Sequence, residues 1–296
     1  MKSSGSKWSS ARTAAFFLWP ALLIFGLFQF YPMAWAFCLS FYKYSPLSNQ
    51  AEFVGLGNFT RIAKDADFWL ALKNSFLYLS VVPAIIFLSL LLAVLVEPAL
   101  PGIGFFRAAY YVPVITMMVV VALSWKLIFD TDFGILNQLL LKLGIIKEGI
   151  PWLTDRHHAL WTVMSVTLWK GLGYYMVMFL VGLKAVPREL IEAATIDGAR
   201  ADQVFRHVKL PSVWPIISLT AILSAIGALQ VFEEIYVMTS GRIGTSTMVY
   251  RIYETGLSSL GGMEMGYASA MGFVLFAILL AFSAIAIRLM EGAYKT

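Results

Sequence analysis

The residues of this chain that could do chemistry fall in two places. One is Glu192-Ala193-Ala194-Thr195-Ile196-Asp197-Gly198-Ala199, with Phe205 and Leu210-Pro211 after it, a polar island between long apolar runs. Glu192 and Asp197 as an acid/base pair would need a nucleophile, a histidine or a metal-ligand cluster beside them, and the island supplies none. As surface charges they suit a basic or helix-N-terminal partner, while Ala193, Ala194 and Ala199 let another protein's backbone come close. The other place is Lys170, near the middle of one apolar run, with Glu233 and Glu234 in a later one. A charge at the centre of a span costs about 2.5–3.5 kcal/mol on insertion scales and is by default functional. Lys170 either faces a solute pathway or pairs with Glu233 or Glu234 to hold helices together. His157-His158, beside Asp155 and Arg156, read as the solvated start of a helix rather than as a metal site.

These groups must be positioned by membrane helices. The 296 residues are 59% hydrophobic and 13% charged with a mean hydropathy of +0.77, against about 45–50% apolar and 25% charged in soluble domains. Six apolar runs, at residues 14–41, 75–96, 106–129, 159–183, 212–232 and 266–287, each supply the roughly 20 residues of a spanning helix. Unpaired backbone groups are too costly in hydrocarbon, so the spans are helices or a closed barrel, and runs of this length without strict alternation are helices. The expected fold class is all-α integral membrane with six transmembrane helices. It divides into 1–74 (N-terminal arm, first helix, outer loop), 75–288 (a five-helix core containing the polar loop 184–211) and a tail, 289–296.

Six spans put both termini on one side. The N-terminal arm carries Lys2, Lys7 and Arg12 and no acid, so that side, with the loops after spans two and four, is expected to be cytoplasmic. Lysines and arginines divide eleven inside to nine outside, with Lys126 and Lys170 in the spans, so the clean arm decides the orientation. The formal net charge of +5 fits cations at an inner leaflet; no basic stripe interleaved with aromatics points to nucleic acid. Cys38 is the single cysteine and permits no internal disulfide. The first run exceeds the about 7–15 residues of a signal-peptide core, contains Pro20 and Pro32, and continues apolar past Ala34-Trp35-Ala36, so it is expected to be retained. Asn58-Phe59-Thr60 is a glycosylation sequon. Outer loops 42–74 and 130–158, with aromatics, glycines and mixed charge, suit small ordered caps that meet a partner outside the cell.

Around the island, Val186-Pro187 stops one helix and presets another, because proline suits a first turn. Residues 188–197 are good helix formers, and Gly198 offers the left-handed residue that ends such a segment. Residues 199–208 are expected to form a second short helix running up to Leu210-Pro211, giving helix, turn, helix. At about 100° per residue, Lys170, Tyr174, Val177 and Val181 share one face of their span.

At these spacings Glu192-Ala-Ala-x-x-Asp197-Gly198-Ala199, Phe205, Leu210-Pro211 and Pro215 resemble the cytoplasmic coupling motif of binding-protein-dependent ABC importer permeases. Phe53-Val54-Gly55-Leu56-Gly57-Asn58-Phe59, Tyr31-Pro32, and Phe133-Gly134 with Leu136-Asn137 resemble the maltose-type carbohydrate subfamily, and the resemblance runs from about residue 15 to residue 290.

The resemblance implies a pair of homologous permeases in a bacterial or archaeal inner membrane, docked on a dimer of ATP-binding cassette ATPase subunits. An extracytoplasmic solute-binding protein would deliver a sugar or sugar-like solute. ATP and Mg then belong to the ATPase, since this chain has no G-x-x-x-x-G-K-S/T loop and is expected to hold no cofactor or metal of its own. For the coupling joint the resemblance implies Glu192, Ala193, Ala194, Asp197, Gly198, Ala199, Leu210 and Pro211. For the solute pathway it implies the helices before and after the coupling loop, and in them Lys170, Gly171, Tyr174, Ser224, Gly227, Ala228, Gln230, Val231 and Glu234. Gly227 and Ala228 either leave room for a ring or only let helices pack closely. Thr239-Ser240-Gly241 is followed by Arg242 where the family commonly has proline, which bears on that loop's conformation and any solute contact by it. The expected function is the transmembrane subunit of an ABC importer, not itself an enzyme. The alternative is an ion-coupled secondary transporter or channel with Lys170, Glu233 and Glu234 as a relay.

Overall fold

The computed structural model describes residues 5–48, 50–98, 101–259 and 262–294, so Lys2 and Lys295 of the two terminal segments lie outside the described residues. In chain order, α1 (Gly5–Phe25) passes through a π-helical turn (Gly26–Phe30) into α2 (Tyr31–Leu39), followed by strands β1 (Tyr42–Ser45) and β2 (Gln50–Phe53). Next come α3 (Gly57–Lys64), α4 (Ala66–Tyr78), α5 (Val81–Val96), α6 (Ile103–Ile115), α7 (Met118–Ile128), α8 (Ile135–Lys142) and α9 (Ala159–Lys184). The polar loop holds α10 (Arg188–Ile196), α11 (Ala201–Val204) and a second π-helical turn (Phe205–Lys209); α12 (Leu210–Leu229), α13 (Glu233–Met238), α14 (Met248–Leu257) and α15 (Met265–Tyr294) complete the chain.

Five helical stretches among the described residues are long and apolar enough to cross a bilayer, and six when α6 and α7 are taken as one broken span. That break corrects the continuous third helix expected over 106–129. The two halves bend by 100° where Thr116 (φ −79°, ψ 136°) and Met117 (φ −56°, ψ 135°) leave helical geometry. Pro113 lies just before, where it has no N–H for the helical ladder and its ring crowds the preceding turn.

A second correction concerns the polar loop. Residues 199–208 do not form a separate helix ended by Leu210-Pro211; α11 winds through the π turn directly into α12. Both π turns among the described residues end just before a Xaa-Pro step, Tyr31-Pro32 and Leu210-Pro211. A proline lacks the N–H for its i−4 carbonyl, and a wider turn accommodates that loss without ending the helix.

Contacts group the residues into two compact units, Met1–Asp65 with Ile252–Phe276, and Ala66–Arg251 with Ala277–Thr296. In the first, β1 and β2 pair antiparallel with Tyr42 opposite Phe53, the one strand pairing among the described residues. Asn58 is buried, and its amide donates to the carbonyls of Ser40 (2.8 Å) and Tyr42 (3.0 Å), so the sequon asparagine is a structural tie. Arg61 pairs with Glu264 at 2.6 Å and lies 4.0 Å over the Tyr267 ring, whose hydroxyl donates to Asp65 at 2.7 Å.

In the second unit α5 and α9 pack along each other, flanked by α6 and α12. One apolar cluster gathers Tyr78, Ile85, Val121, Val163, Val166 and Ile235, and another gathers Ala93, Met176, Phe179, Leu183 and Val213. The loop 130–158 is tied by Asn137, fully buried. Its amide donates to the carbonyls of Thr131 (3.0 Å) and Ile150 (2.9 Å), and its oxygen accepts from the Ile150 N–H (3.2 Å) and the Trp152 indole (2.8 Å). Backbone N–H groups of Phe133 and Asp132 hold the Asp130 carboxyl below the ordinary carboxylate range.

Asn137→Leu is predicted to loosen this loop first. Each buried group left without a partner costs about 1–3 kcal/mol, so amide exchange over residues 130–158 rises steeply while exchange in the second half of α9 stays slow. Equal protection of the loop in both proteins would show that it is held by something else.

Candidate functional site

The residues that sequence places on the solute pathway come together. Along α9, Thr167, Lys170, Gly171, Tyr174 and Tyr175 recur at i, i+3, i+4, i+7 and i+8, one face of a helix. Along α12, Ser224, Gly227 and Ala228 do the same, and the chain then leaves helical form at Gln230, Val231 and Phe232 before α13 begins at Glu233. These two faces, with Val81, Val82 and Ile85 of α5 and with Val114 and Met118 from either side of the third-span break, line a cavity of about 570 Å³. All nine expected pathway residues are in its wall. Val177 and Val181, assigned to the same face of α9, lie outside it.

Lys170 does not pair with either glutamate. Its Nζ donates to the Thr116 carbonyl at 2.8 Å, with the Val114 carbonyl at 3.5 Å. These acceptors exist because α6 stops there, and a cation at a helix C-terminus also meets the negative end of the helix dipole. Glu234 is held separately: the Thr167 hydroxyl donates to its Oε1 at 3.2 Å, and the buried Tyr78 hydroxyl lies 2.6 Å from that of Thr167. Glu233 is exposed. The cavity therefore offers a tyrosine ring, hydroxyl and amide groups and carboxylates along an otherwise apolar wall, a surface suited to a solute with both flat apolar and hydroxylated faces.

The small residues divide by role. A Cβ at Gly227 would meet no atom within 4 Å, so this glycine opens onto the cavity rather than onto a neighbouring helix. Ala228 is buried in the first cluster, and on α9 the close-approach glycines are Gly173, where a Cβ would collide with the Tyr110 carbonyl of α6, and Gly182, where it would meet Ile216 of α12. The loop after α13 runs through left-handed residues Ser240, Gly241, Ile243 and Gly244 and is held by the Tyr250 hydroxyl donating to the Ser240 carbonyl at 2.6 Å. Arg242 is exposed and outside the cavity wall.

The second group, the polar island, forms a helix with one anchored and one open face. Ile191 packs with Phe205, Val208 and Leu210 against the cluster of Met176, Phe179 and Val213. Gly198, at φ +83°, ends α10 in a Schellman turn: the Ala199 N–H reaches the Ala194 carbonyl (2.9 Å) and the Gly198 N–H the Thr195 carbonyl (3.0 Å). Glu192, Ala193, Asp197, Gly198 and Pro211 are exposed; Ala194, Ala199 and Leu210 are half-buried.

Sequence reasoning left several of these residues out. Thr167 was available from the periodicity that groups Lys170 with Tyr174; Tyr175, about 140° round the helix from Lys170, was not. Val114 and Met118 were not, because the break that turns them to the cavity has no sharp signature in an apolar run. On α10, Leu190 (51% exposed) and Ile196 (85%) add apolar contact to the open face.

Comparison with known proteins shows the family of the chain. Residues 69–292 match the family model described as the binding-protein-dependent transport system inner membrane component. The chain is similar to the lactose transport system permease protein LacF of Rhizobium radiobacter, 34% identical over 88% of this chain and 87% of that protein. It is also similar to the arabinooligosaccharides transport system permease protein AraP of Bacillus subtilis, 34% identical over 93% of this chain and 87% of that one. Its fold is shared with a chain from a bacterial ABC transporter involved in the import of the acidic polysaccharide alginate, with a TM-score of 0.83 at 20% identity, covering 97% of this chain and 99% of that chain. The protein belongs to the family of binding-protein-dependent transport system inner membrane components.

Proposed function

We propose that this chain is the membrane-spanning subunit of an ABC importer for a sugar or sugar-like solute. An external binding protein delivers the solute, a second permease completes the pathway, and ATP with Mg is used by a pair of ATPase subunits docked on α10. Both termini and α10 face the cytoplasm in this reading. The observation that carries it is the open face of α10, where Glu192, Ala193, Ile196 and Asp197 stand exposed on a helix whose other face is anchored to the bundle.

The carbohydrate assignment is supported by the relatives, whose names specify lactose and arabinooligosaccharides. A similar structure was determined with an alginate pentasaccharide-bound periplasmic protein. The cavity adds Tyr174, Ser224, Gln230 and Glu234 as groups that stack on or hydrogen-bond to a sugar. The ion-relay alternative draws no support from Lys170, which bonds to backbone rather than to a glutamate. Purification of the tagged chain from native membranes tests the reading: a second permease and an ATPase are expected with it, and solute accumulation by this chain alone, driven by an ion gradient, would overturn it.

Two substitutions separate the sites. Gly198→Leu meets no steric obstacle but forces a left-handed leucine, at about 1–2 kcal/mol. As an affinity this is about a tenfold weaker recovery of the ATPase in pull-downs, with membrane insertion unchanged; normal recovery and transport would defeat it. Lys170→Met removes the cavity's cation and leaves the Thr116 carbonyl unpaired, at a cost of about 1–3 kcal/mol. Uptake is expected to fall while the assembled complex survives, and disassembly instead would assign Lys170 to holding α6 against α9.

A further inference from the structure

A second cavity, of about 800 Å³, lies where α5 ends, α6 begins, α9 ends and α10 begins. Its wall carries three cations, Arg107, Lys184 and Arg188, and one acid, Glu97. That acid is already neutralised, because both its carboxylate oxygens accept from Lys209 Nζ, at 2.7 and 2.8 Å. Arg107 is partly committed, its Nε donating to the Val96 carbonyl at 3.1 Å. The side chains of Lys184 and Arg188 make no hydrogen bond or ion pair among the described residues. The cavity therefore carries a positive excess that nothing among the described residues answers.

We propose that it holds the phosphate of an anionic lipid headgroup. A phosphate diester matches the charge, and a guanidinium beside an ammonium is a common setting for it. The surroundings favour a lipid over an acidic protein segment. Leu95 near the end of α5 is 61% exposed and Phe106, the chain neighbour of Arg107, is 55% exposed, so the helix ends around the cavity present apolar side chains outside its wall, as at a membrane interface where acyl chains continue from a bound headgroup. The volume exceeds what a lone phosphate would fill. This inference needs only that the chain lies in a membrane, and it stands or falls separately from what docks on α10.

The test uses the full-length chain, exchanged into mixed micelles containing equal dioleoylphosphatidylglycerol and dioleoylphosphatidylcholine and then analysed for retained lipid by native mass spectrometry. The unaltered chain is expected to retain the anionic phosphatidylglycerol preferentially. Lys184→Gln with Arg188→Gln should reduce that preference about tenfold without lowering the melting temperature in phosphatidylcholine alone, since neither side chain ties the fold. Lys142→Gln with Lys147→Gln, in the loop 130–158, should leave the preference unchanged. Equal retention by the unaltered and the Lys184/Arg188-substituted chains, or an equal loss from the loop substitutions, would overturn the proposal. So would displacement of the lipid by millimolar inorganic phosphate, which would mark a site for a free anion. Unchanged lipid retention in the Lys184/Arg188-substituted chain, with loss of a co-purifying ATPase, would assign the cations to an acidic protein partner instead.

Discussion

A backbone carbonyl in hydrocarbon must find its donor inside the protein, because no water is there to supply one. The candidate site is built around two places where a helix breaks and that requirement has to be met another way. At Thr116 and Met117 the third span turns by 100°, and Lys170 donates to the carbonyl that the turn releases. After α12 the chain is irregular from Gln230 to Phe232, and the Thr247 hydroxyl takes up the Val231 carbonyl at 3.0 Å. Both breaks open on the same cavity. Irregular backbone at membrane depth is tolerated only where it is buried or lines a polar space, so the breaks and the cavity are one feature, and an intramembrane lysine is part of what makes it stable.

The same two helices connect this cavity to the open face of α10. α9 lines it from Thr167 to Tyr175 and runs on to Lys184, beside the start of α10. α12 lines it from Ser224 to Ala228 and is continuous at its other end with the π turn that carries Phe205. Ile191, Phe205 and Leu210 pack together on Phe179 and Val213 of these two helices. α10 is thus anchored by side chains to the helices that also form the cavity wall, with no flexible linker between α11 and α12.

What could be read in the sequence was what depends on local chemistry. Gly198 was legible because a left-handed residue after a helix is a backbone requirement that side-chain identity reveals. The pathway residues of α12 were legible through the resemblance alone, while the helical period of α9 grouped Lys170 with Tyr174 and also drew in Val177 and Val181, which lie outside the cavity. Lys170 was legible as a costly charge, but its acceptor was not: carbonyls released by a broken helix leave no trace in residue identity, and the nearby glutamates were the only visible partners. The break itself was hidden because Pro113 sits in an unbroken apolar run. Leu210-Pro211 read as a stop, yet a π turn absorbs the missing proline N–H and lets the helix continue. Asn137 was noticed only as part of a resemblance; its work is done by tertiary hydrogen bonds that no local pattern encodes.

The central claim is that the cavity between the broken helices is the path of the solute and that its access is governed by ATP turnover in docked subunits. Gly227 allows a direct test, since a side chain there meets no atom within 4 Å and the only natural thiol, Cys38, can be replaced by serine. In the assembled transporter, Gly227→Cys in a Cys38→Ser background should react with a membrane-impermeant thiol reagent and be protected by the transported solute. The side from which it reacts should change between resting and ATP-trapped complexes. A thiol that is unreactive from both sides, or that reacts equally with and without solute and nucleotide, would contradict the account.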